Sequence, residues 1–213
     1  MTRMKSLFIL MPAAFFLFSC AGQEIKRQGK EIINAQEPCS ATMGGDVMPG
    51  RRMNPLMDER GAGYAFEKIR PILANSKINF ANLEAPIMRN EKEDSYEKFG
   101  DKQIHFLTRE ETGRALAEAG INFVSLANNH ALDYGQKALF STMEILDENG
   151  ISYQGVWKGD QTLPNKPYIA ETDNTKAAFF CYSQVSHKSF AATMDTYGTI
   201  PAIIKVISCL LYT

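Results

Sequence analysis

The run Ile121-Asn-Phe-Val-Ser-Leu-Ala-Asn-Asn-His-Ala-Leu-Asp-Tyr-Gly135 decides how the chain is read. Its first half, Ile121 to Ala127, is almost continuously apolar, which suits a parallel strand buried on both faces. The run then turns abruptly to two carboxamides and an imidazole, Asn128-Asn129-His130, which are costly to bury unless paired. Gln136 to Asn149 follows as a helix, with Leu139, Met143 and Leu146 on one face and Gly150 as its stop. An apolar strand, a polar strand end and a helix form the unit of an α/β sheet. In such sheets ligands sit beyond the carboxyl ends of the strands.

Working outward, Ile151 to Val156 reads as another strand. Upstream, Thr108-x-x-Glu111 reads as a capping box opening a helix that Gly120 closes, with Ala115, Leu116 and Ala119 as its apolar face. Ile78 to Leu83 is a strand leading into Asn82-Leu-Glu84. Tyr64, Phe66, Ile69, Ile72 and Leu73 fall in a helical pattern over 64–74, where Pro71 predicts a kink or a break. Ser40 to Gly44 is a short strand entering Gly44-Gly45, a pair that lets the backbone turn tightly or approach a ligand closely. Pro167 to Glu171 and Lys176 to Tyr182 flank Asp173-Asn174, a hairpin turn. Arg89 to Gly100 is mostly charge and reads as a solvated loop, although a loop near a strand end can also close over a substrate. The expectation is an α/β domain with at least a partly parallel sheet.

With 213 residues, 45% of them apolar and 22% charged, the chain has the balance of an ordinary globular domain. A net charge of −1 leaves no electrostatic footprint for nucleic acid, which is not expected as a partner. Arg3 and Lys5 precede the apolar run Leu7 to Phe18, followed by Ser19-Cys20 and a polar stretch, the order of a secretory signal. The apolar run is too short for a membrane-spanning helix, which needs about 20 residues. Leu17-Phe-Ser-Cys20 resembles a bacterial lipobox in which the cysteine is lipidated, although Phe18 is bulkier than the usual small residue. A plain cleaved signal and an uncleaved anchor are the alternatives. Residues 1–20 are thus read as a lipoprotein signal peptide and 21–37, polar and without apolar period, as a flexible tether. The domain starts near Pro38 and extends to residue 199. Cys39, Cys181 and Cys209 have no metal-type spacing; a disulfide and buried free thiols are both open.

The chemistry lies in three runs, Gly45-Asp46-Val-Met, Asn82-Leu-Glu84-Ala-Pro and Asn129-His130. Asp46, Glu84, Asn129 and His130 are far apart in sequence but meet if the runs end neighbouring strands of one sheet. Converging oxygen and imidazole groups suit a divalent cation. The competing readings are a turn-forming Asp46, a surface strand end at Glu84 and a purely structural network at Asn128-Asn129-His130. Asp133 either orients the His130 imidazole or caps the following helix. His105 and His187 stand alone and read as surface residues, and no Gly-x-Ser-x-Gly, phosphate-binding loop or paired Cys-x-x-Cys competes with this set.

These runs, with Gly45-Asp-Val-Met-Pro-Gly-Arg51, Asn82-Leu-Glu-Ala-Pro-Ile87, Val124 to Gly135 and Gly150-Ile-Ser-Tyr-Gln-Gly155, resemble the CapA family over about residues 40–182. These are bacterial capsule-synthesis proteins associated with poly-γ-glutamate, and they resemble calcineurin-like metallophosphoesterases. The resemblance implies an α/β/β/α metallophosphatase-like sandwich of two sheets with helices outside, incomplete in this chain. It implies Asp46 as the first metal-binding acid, Glu84 in place of the bridging acid, Asn129 as the amide ligand and His130 as the histidine at the scissile group. It further implies a metal-dependent hydrolase of the cell envelope, with the capsule polymer or membrane-bound polymer synthases as partners. The alternatives are a non-enzymatic envelope protein that binds the anionic polymer or a synthase, and a phosphoesterase unconnected with capsule. Met48 stands where the superfamily carries its first histidine after the initial acid. The downstream histidine motifs do not appear, and residues 200–213 read as an unrelated tail, as a frameshift or early stop would produce.

Overall fold

The computed structural model describes residues 7–11, 14–20, 40–89, 97–100, 102–158, 167–172, 175–185, 188–193 and 196–200. At its centre is a four-stranded parallel sheet of β3 (Ala41–Val47), β4 (Ile78–Leu83), β5 (Phe123–Ser125) and β6 (Ser152–Gln154), in that order. Helices α1 (Met53–Arg60) and α2 (Arg70–Leu73) connect β3 to β4, α3 (Glu111–Ala119) connects β4 to β5, and α4 (Gly135–Glu148) connects β5 to β6. The apolar runs explain the middle of the sheet: every residue of β4 and β5 is buried. Alternate residues feed two cores. Ala81, Leu83 and Val124 pack with Leu116 and Ala119 of α3 and with Leu139, Ile145 and Leu146 of α4. Ile78, Phe80 and Phe123 pack on the opposite face against an antiparallel hairpin, β8 (Tyr168–Thr172) and β9 (Thr175–Phe179), through Ala170, Ala177 and Phe179. Phe123 lies 4.3 Å from Tyr168 and 5.2 Å from Phe179, ring centre to ring centre. Fully burying one such side chain contributes about 1.5–3 kcal/mol. The result is mixed α/β, with a helix layer, a parallel sheet and a second β layer, consistent with a metallophosphatase-like sandwich.

Two further pairings complete the described chain. β7 (Val156–Lys158) pairs antiparallel with β10 (Tyr197–Thr199). The N-terminal apolar stretch forms β1 (Leu7–Met11) and β2 (Ala14–Cys20), and the end of β2 meets β9. No helix among the described residues is long and apolar enough to cross a membrane.

Several local expectations change in detail. β3 runs on to Val47, with a break in register between Met43 and Asp46 at the Gly44-Gly45 pair. The 64–74 pattern divides into a 3₁₀ turn, Ala62–Phe66, and α2, with Pro71 in the first turn of α2 where a missing N–H costs least. Helix α1 was not foreseen, because only Asn54 and Met57 of its residues are buried and no apolar stripe marks it. The expected capping box does not form. Thr108 Oγ1 donates instead to the Pro49 carbonyl at 2.8 Å, and the N-cap position of α3 is Glu110, without a side-chain cap. Gly120 does close α3 in the left-handed conformation, φ 95°. The strand read over 151–156 splits at Gly155 (φ 100°), where a Cβ would lie 2.4 Å from that of Ala127. The hairpin forms as read, with Thr172 opposite Thr175; the turn residues 173–174 lie outside the described residues. Of the charged loop, Arg89 is not solvated alone but reaches Glu110, Glu144 and Glu148, while 90–96 lie outside the described residues. Cys181 is a buried free thiol, pushed up to about 12 by burial; Cys39 and Cys209 lie outside the described residues. Ile200 is buried, its N–H donating to the Gly155 carbonyl, and 201–213 lie outside the described residues.

Candidate functional site

The parallel order places the ends of β3, β4 and β5 side by side, and a directional chain of hydrogen bonds crosses them. The His130 N–H donates to Asn128 Oδ1 at 2.9 Å. Asn128 Nδ2 donates to Asn82 Oδ1 at 3.1 Å and to the Leu83 carbonyl at 2.9 Å. Asn82 Nδ2 donates to Asp46 Oδ1 at 2.8 Å. Each of the three runs supplies a link, so the strand ends are held in a fixed relation. Asp46 opposes Asn82 in the register of β3 and β4 because the Gly44-Gly45 irregularity shifts the strand there.

Glu84 follows β4, half-buried, with its N–H on the Val47 carbonyl at 2.9 Å. Its carboxyl is raised above the ordinary carboxylate range, first by burial and then by the nearby charge of Asp46. Asp133 adds to the rise, while His130 and Lys102 offset part of it. That set of influences puts Asp46, Glu84, His130, Asp133 and Lys102 in one electrostatic neighbourhood.

His130 is buried and stacks on Phe106 with ring centres 4.0 Å apart. Its Nδ1 lies 2.6 Å from Asp133 Oδ2. A carboxylate only accepts, and at 2.6 Å it lies closer to Nδ1 than the Lys102 ammonium does at 3.1 Å, so the proton is assigned to Nδ1 and Nε2 is the ring nitrogen left for a ligand. Asp133 is fully buried, accepts the Phe106 N–H at 2.7 Å and pairs with Lys102 through its other oxygen. Lys102 also donates to the Asn129 carbonyl. Of the two roles open to Asp133, orienting the imidazole is the one seen, since α4 has no side-chain cap.

Asp46, Glu84 and His130 are thus brought together. Asn129 stands beside them half-buried, and its side-chain amide has no hydrogen-bond partner among the described residues. Asn128, not Asn129, ties the loop to the sheet. Among the described residues, no three His, Cys, Asp or Glu side chains converge closely enough to hold a metal ion by themselves. The donors present are two neighbouring carboxylates with an amide and an imidazole nearby, chemistry that fits one flank of a divalent cation. His105 has its Nε2 on the Phe99 carbonyl at 3.2 Å and its ring edge-on to Tyr134; His187 is outside the described residues. Lys102 and Phe106 escaped the sequence reading, because nothing in the segment carrying them has a period or a motif. Asn82 and Asn128 lay inside the quoted runs but were not distinguished from their neighbours.

Comparisons with known proteins identify the family. A family model described as "Bacterial capsule synthesis protein PGA_cap" matches residues 40–201. The "Capsule biosynthesis protein CapA" of Bacillus anthracis is 36% identical over 164 residues, 77% of this chain and 39% of that protein. The "PGA biosynthesis protein CapA" of Bacillus subtilis (strain 168) is 28% identical over 207 residues, 93% of this chain and 51% of that protein. An "Uncharacterized protein y4sH" of Sinorhizobium fredii is 28% identical over 176 residues, 82% of this chain and 36% of that protein. The chain spans about half the length of these relatives or less. With the matched region covering the whole parallel sheet and every site residue described above, the chain belongs to the bacterial capsule synthesis protein family PGA_cap.

Proposed function

We propose that this chain serves capsule or poly-γ-glutamate biosynthesis at the bacterial cell envelope, through a metallophosphatase-like site at the ends of β3, β4 and β5. The observation that carries this reading is the hydrogen-bond chain from His130 through Asn128 and Asn82 to Asp46, with the raised carboxyl of Glu84 beside it. Two acids that disfavour each other's charge are relieved by a cation between them. Asp46 and Glu84 would hold a divalent cation, with the Asn129 amide at its side and further ligands from outside the described residues. Such a cation supplies Lewis acidity toward a phosphate or amide oxygen. Asp133 fixes the His130 ring so that Nε2 can take a proton and, as the imidazolium, hand it to a leaving group or hold it on an anionic oxygen. Partners of this chemistry are the capsule polymer or a membrane-bound synthase. The protein would be exported behind residues 1–20 and held in the membrane by lipid on Cys20.

The test is calorimetric titration with Mn²⁺ of the wild-type chain and of the Asp46→Asn/Glu84→Gln double variant. At least tenfold weaker binding by the variant is expected; equal affinity would remove these acids from any metal site. Cys20→Ser should move the protein from the membrane fraction to the soluble one, and unchanged membrane association would sink the lipid anchor. A non-enzymatic envelope protein that binds the anionic polymer or a synthase is the second reading, resting on the incomplete ligand set among the described residues. Wild-type protein that binds no cation would decide for it.

A further inference from the structure

Arg51 is the only non-glycine residue among the described residues with positive φ, 53°. A left-handed backbone is disfavoured for any residue with a Cβ, and glycine would sit there without that cost. The surrounding contacts leave no freedom to relax. Gly50 lies so close to the next segment that a Cβ would come 2.7 Å from the Leu107 carbonyl oxygen. Thr108 Oγ1 holds the Pro49 carbonyl at 2.8 Å, and Asn54 Nδ2 donates to the Leu107 carbonyl at 3.2 Å. The Met53 N–H donates to the Gly50 carbonyl at 3.0 Å and the Asn54 N–H to the Arg51 carbonyl at 3.2 Å. An arginine at a strained, pinned position points to use of its side chain.

That side chain approaches an aromatic ring it shares with His130. The Arg51 guanidinium is 6.0 Å from the centre of the Phe106 ring, the same ring on which His130 stacks at 4.0 Å. Arg51 and Arg52 are exposed, and with Met48, Gly50 and Met53 they line a groove of about 280 Å³. Neither arginine has a carboxylate partner among the described residues, whereas Lys102 is committed to Asp133, the Asn129 carbonyl and the His130 ring. An exposed guanidinium beside the site attracts an acidic substrate in addition to any cation held by Asp46 and Glu84.

Resting on the reading that Asp46, Glu84 and His130 form the site, we propose that Arg51 is its anion-recognition residue, its guanidinium taking an oxyanion of an acidic substrate whose reacting bond lies at His130. The planar fork of arginine matches carboxylate and phosphate oxygens two at a time. The shared chemistry is a carboxylate or phosphoryl oxygen pair, and two probes separate the sources.

The experiment titrates the 213-residue chain at low salt with γ-linked triglutamate and, separately, with inorganic phosphate, comparing wild type with Arg51→Gln, Arg51→Lys and Arg51→Gly. Arg51→Gln and Arg51→Gly should weaken the responding probe at least tenfold, with Arg51→Lys between them. The midpoint of thermal unfolding of Arg51→Gly should hold or rise, since glycine suits the left-handed backbone. Response to triglutamate alone assigns a polymer carboxylate, and response to phosphate alone a phosphoryl group; either supports the proposal. Probe affinities within twofold of wild type in both neutral variants overturn it, as does a wild-type chain that binds neither probe. A parallel Mn²⁺ titration keeps the two readings apart. Arg51-dependent anion binding without cation binding sinks the metal reading alone, and cation binding without Arg51-dependent anion binding sinks the proposal alone.

Discussion

Glu84 and Asp133 are two acids of one electrostatic neighbourhood with different surroundings. Glu84 is raised above its ordinary 4.5 by burial and by Asp46. The folded state therefore keeps a proton at pH values where the unfolded chain releases it. This favours folding below about 4.5, and the benefit is lost as pH rises through the higher folded value. Glu84→Gln has no such loss, so it should resist urea better than cation-free wild type at pH 7, with the difference closing near pH 4. Parallel urea titrations at the two pH values check this, and a gap that does not close would assign the effect to packing. Asp133 is instead fully satisfied, by Lys102, the His130 ring and the Phe106 N–H. Asparagine there must turn an NH₂ group toward one of these donors. Asp133→Asn should cost about 3–5 kcal/mol, the range for breaking a buried ion pair, read from the midpoint of urea unfolding. A loss under about 1 kcal/mol, within the range of exposed pairs, would show the pair to be weakly coupled to the fold.

Among the elements, α3 and α4 meet where one has no side chain. Gly113 is buried within α3, and a Cβ there would lie 2.3 Å from Ile145 Cγ2 and 2.9 Å from Asn149 Nδ2. Helix propensity alone favours alanine by about 1 kcal/mol, whereas overpacking a tight contact costs about 1–3 kcal/mol. Gly113→Ala should therefore destabilise the protein with its helix content unchanged, measured by thermal unfolding followed by circular dichroism; a raised midpoint would show that α4 yields. The same balance explains what could be read in advance. β4 matched its apolar run from Ile78 to Leu83, and α3 ended at Gly120, because local pattern and tertiary packing agree there. Thr108 failed as a cap because the Pro49 carbonyl and Thr112 hold its hydroxyl, a contact set by chain folding. Gly155 cut one expected strand into two because the Ala127 backbone lies against it. Asp46, Glu84 and His130 could be placed near one another in advance, because alternating strands and helices bring successive strand ends to one edge of a parallel sheet. Lys102 and Phe106 were not, since they reach the site only through the course of a segment without periodicity.

For the whole molecule, stability is unevenly spread, and the site straddles the gradient. β4 and β5 are buried throughout, between two apolar cores. β3 lies at the sheet edge, with most of its residues exposed and β4 as its one strand partner among the described residues. Its ladder is further interrupted between Met43 and Asp46. Edge strands open at lower free energy than central ones, so amide exchange should be slowest in 78–83 and 123–125 and markedly faster in 41–47. Asp46 stands on the weak strand and Glu84 just beyond the strong one, so a ligand bridging them ties β3 to β4. Saturating Mn²⁺ should then protect the β3 amides in particular. At a hundredfold excess over the dissociation constant, binding adds about 2.7 kcal/mol to any opening that breaks the site. The gain should appear at 46–47 and 82–84 and be small at the β8–β9 hairpin, which carries neither acid. Protection that rises equally everywhere would mean that β3 opens only when the whole domain does. No change at β3 alongside measurable cation binding would place the cation somewhere other than between Asp46 and Glu84.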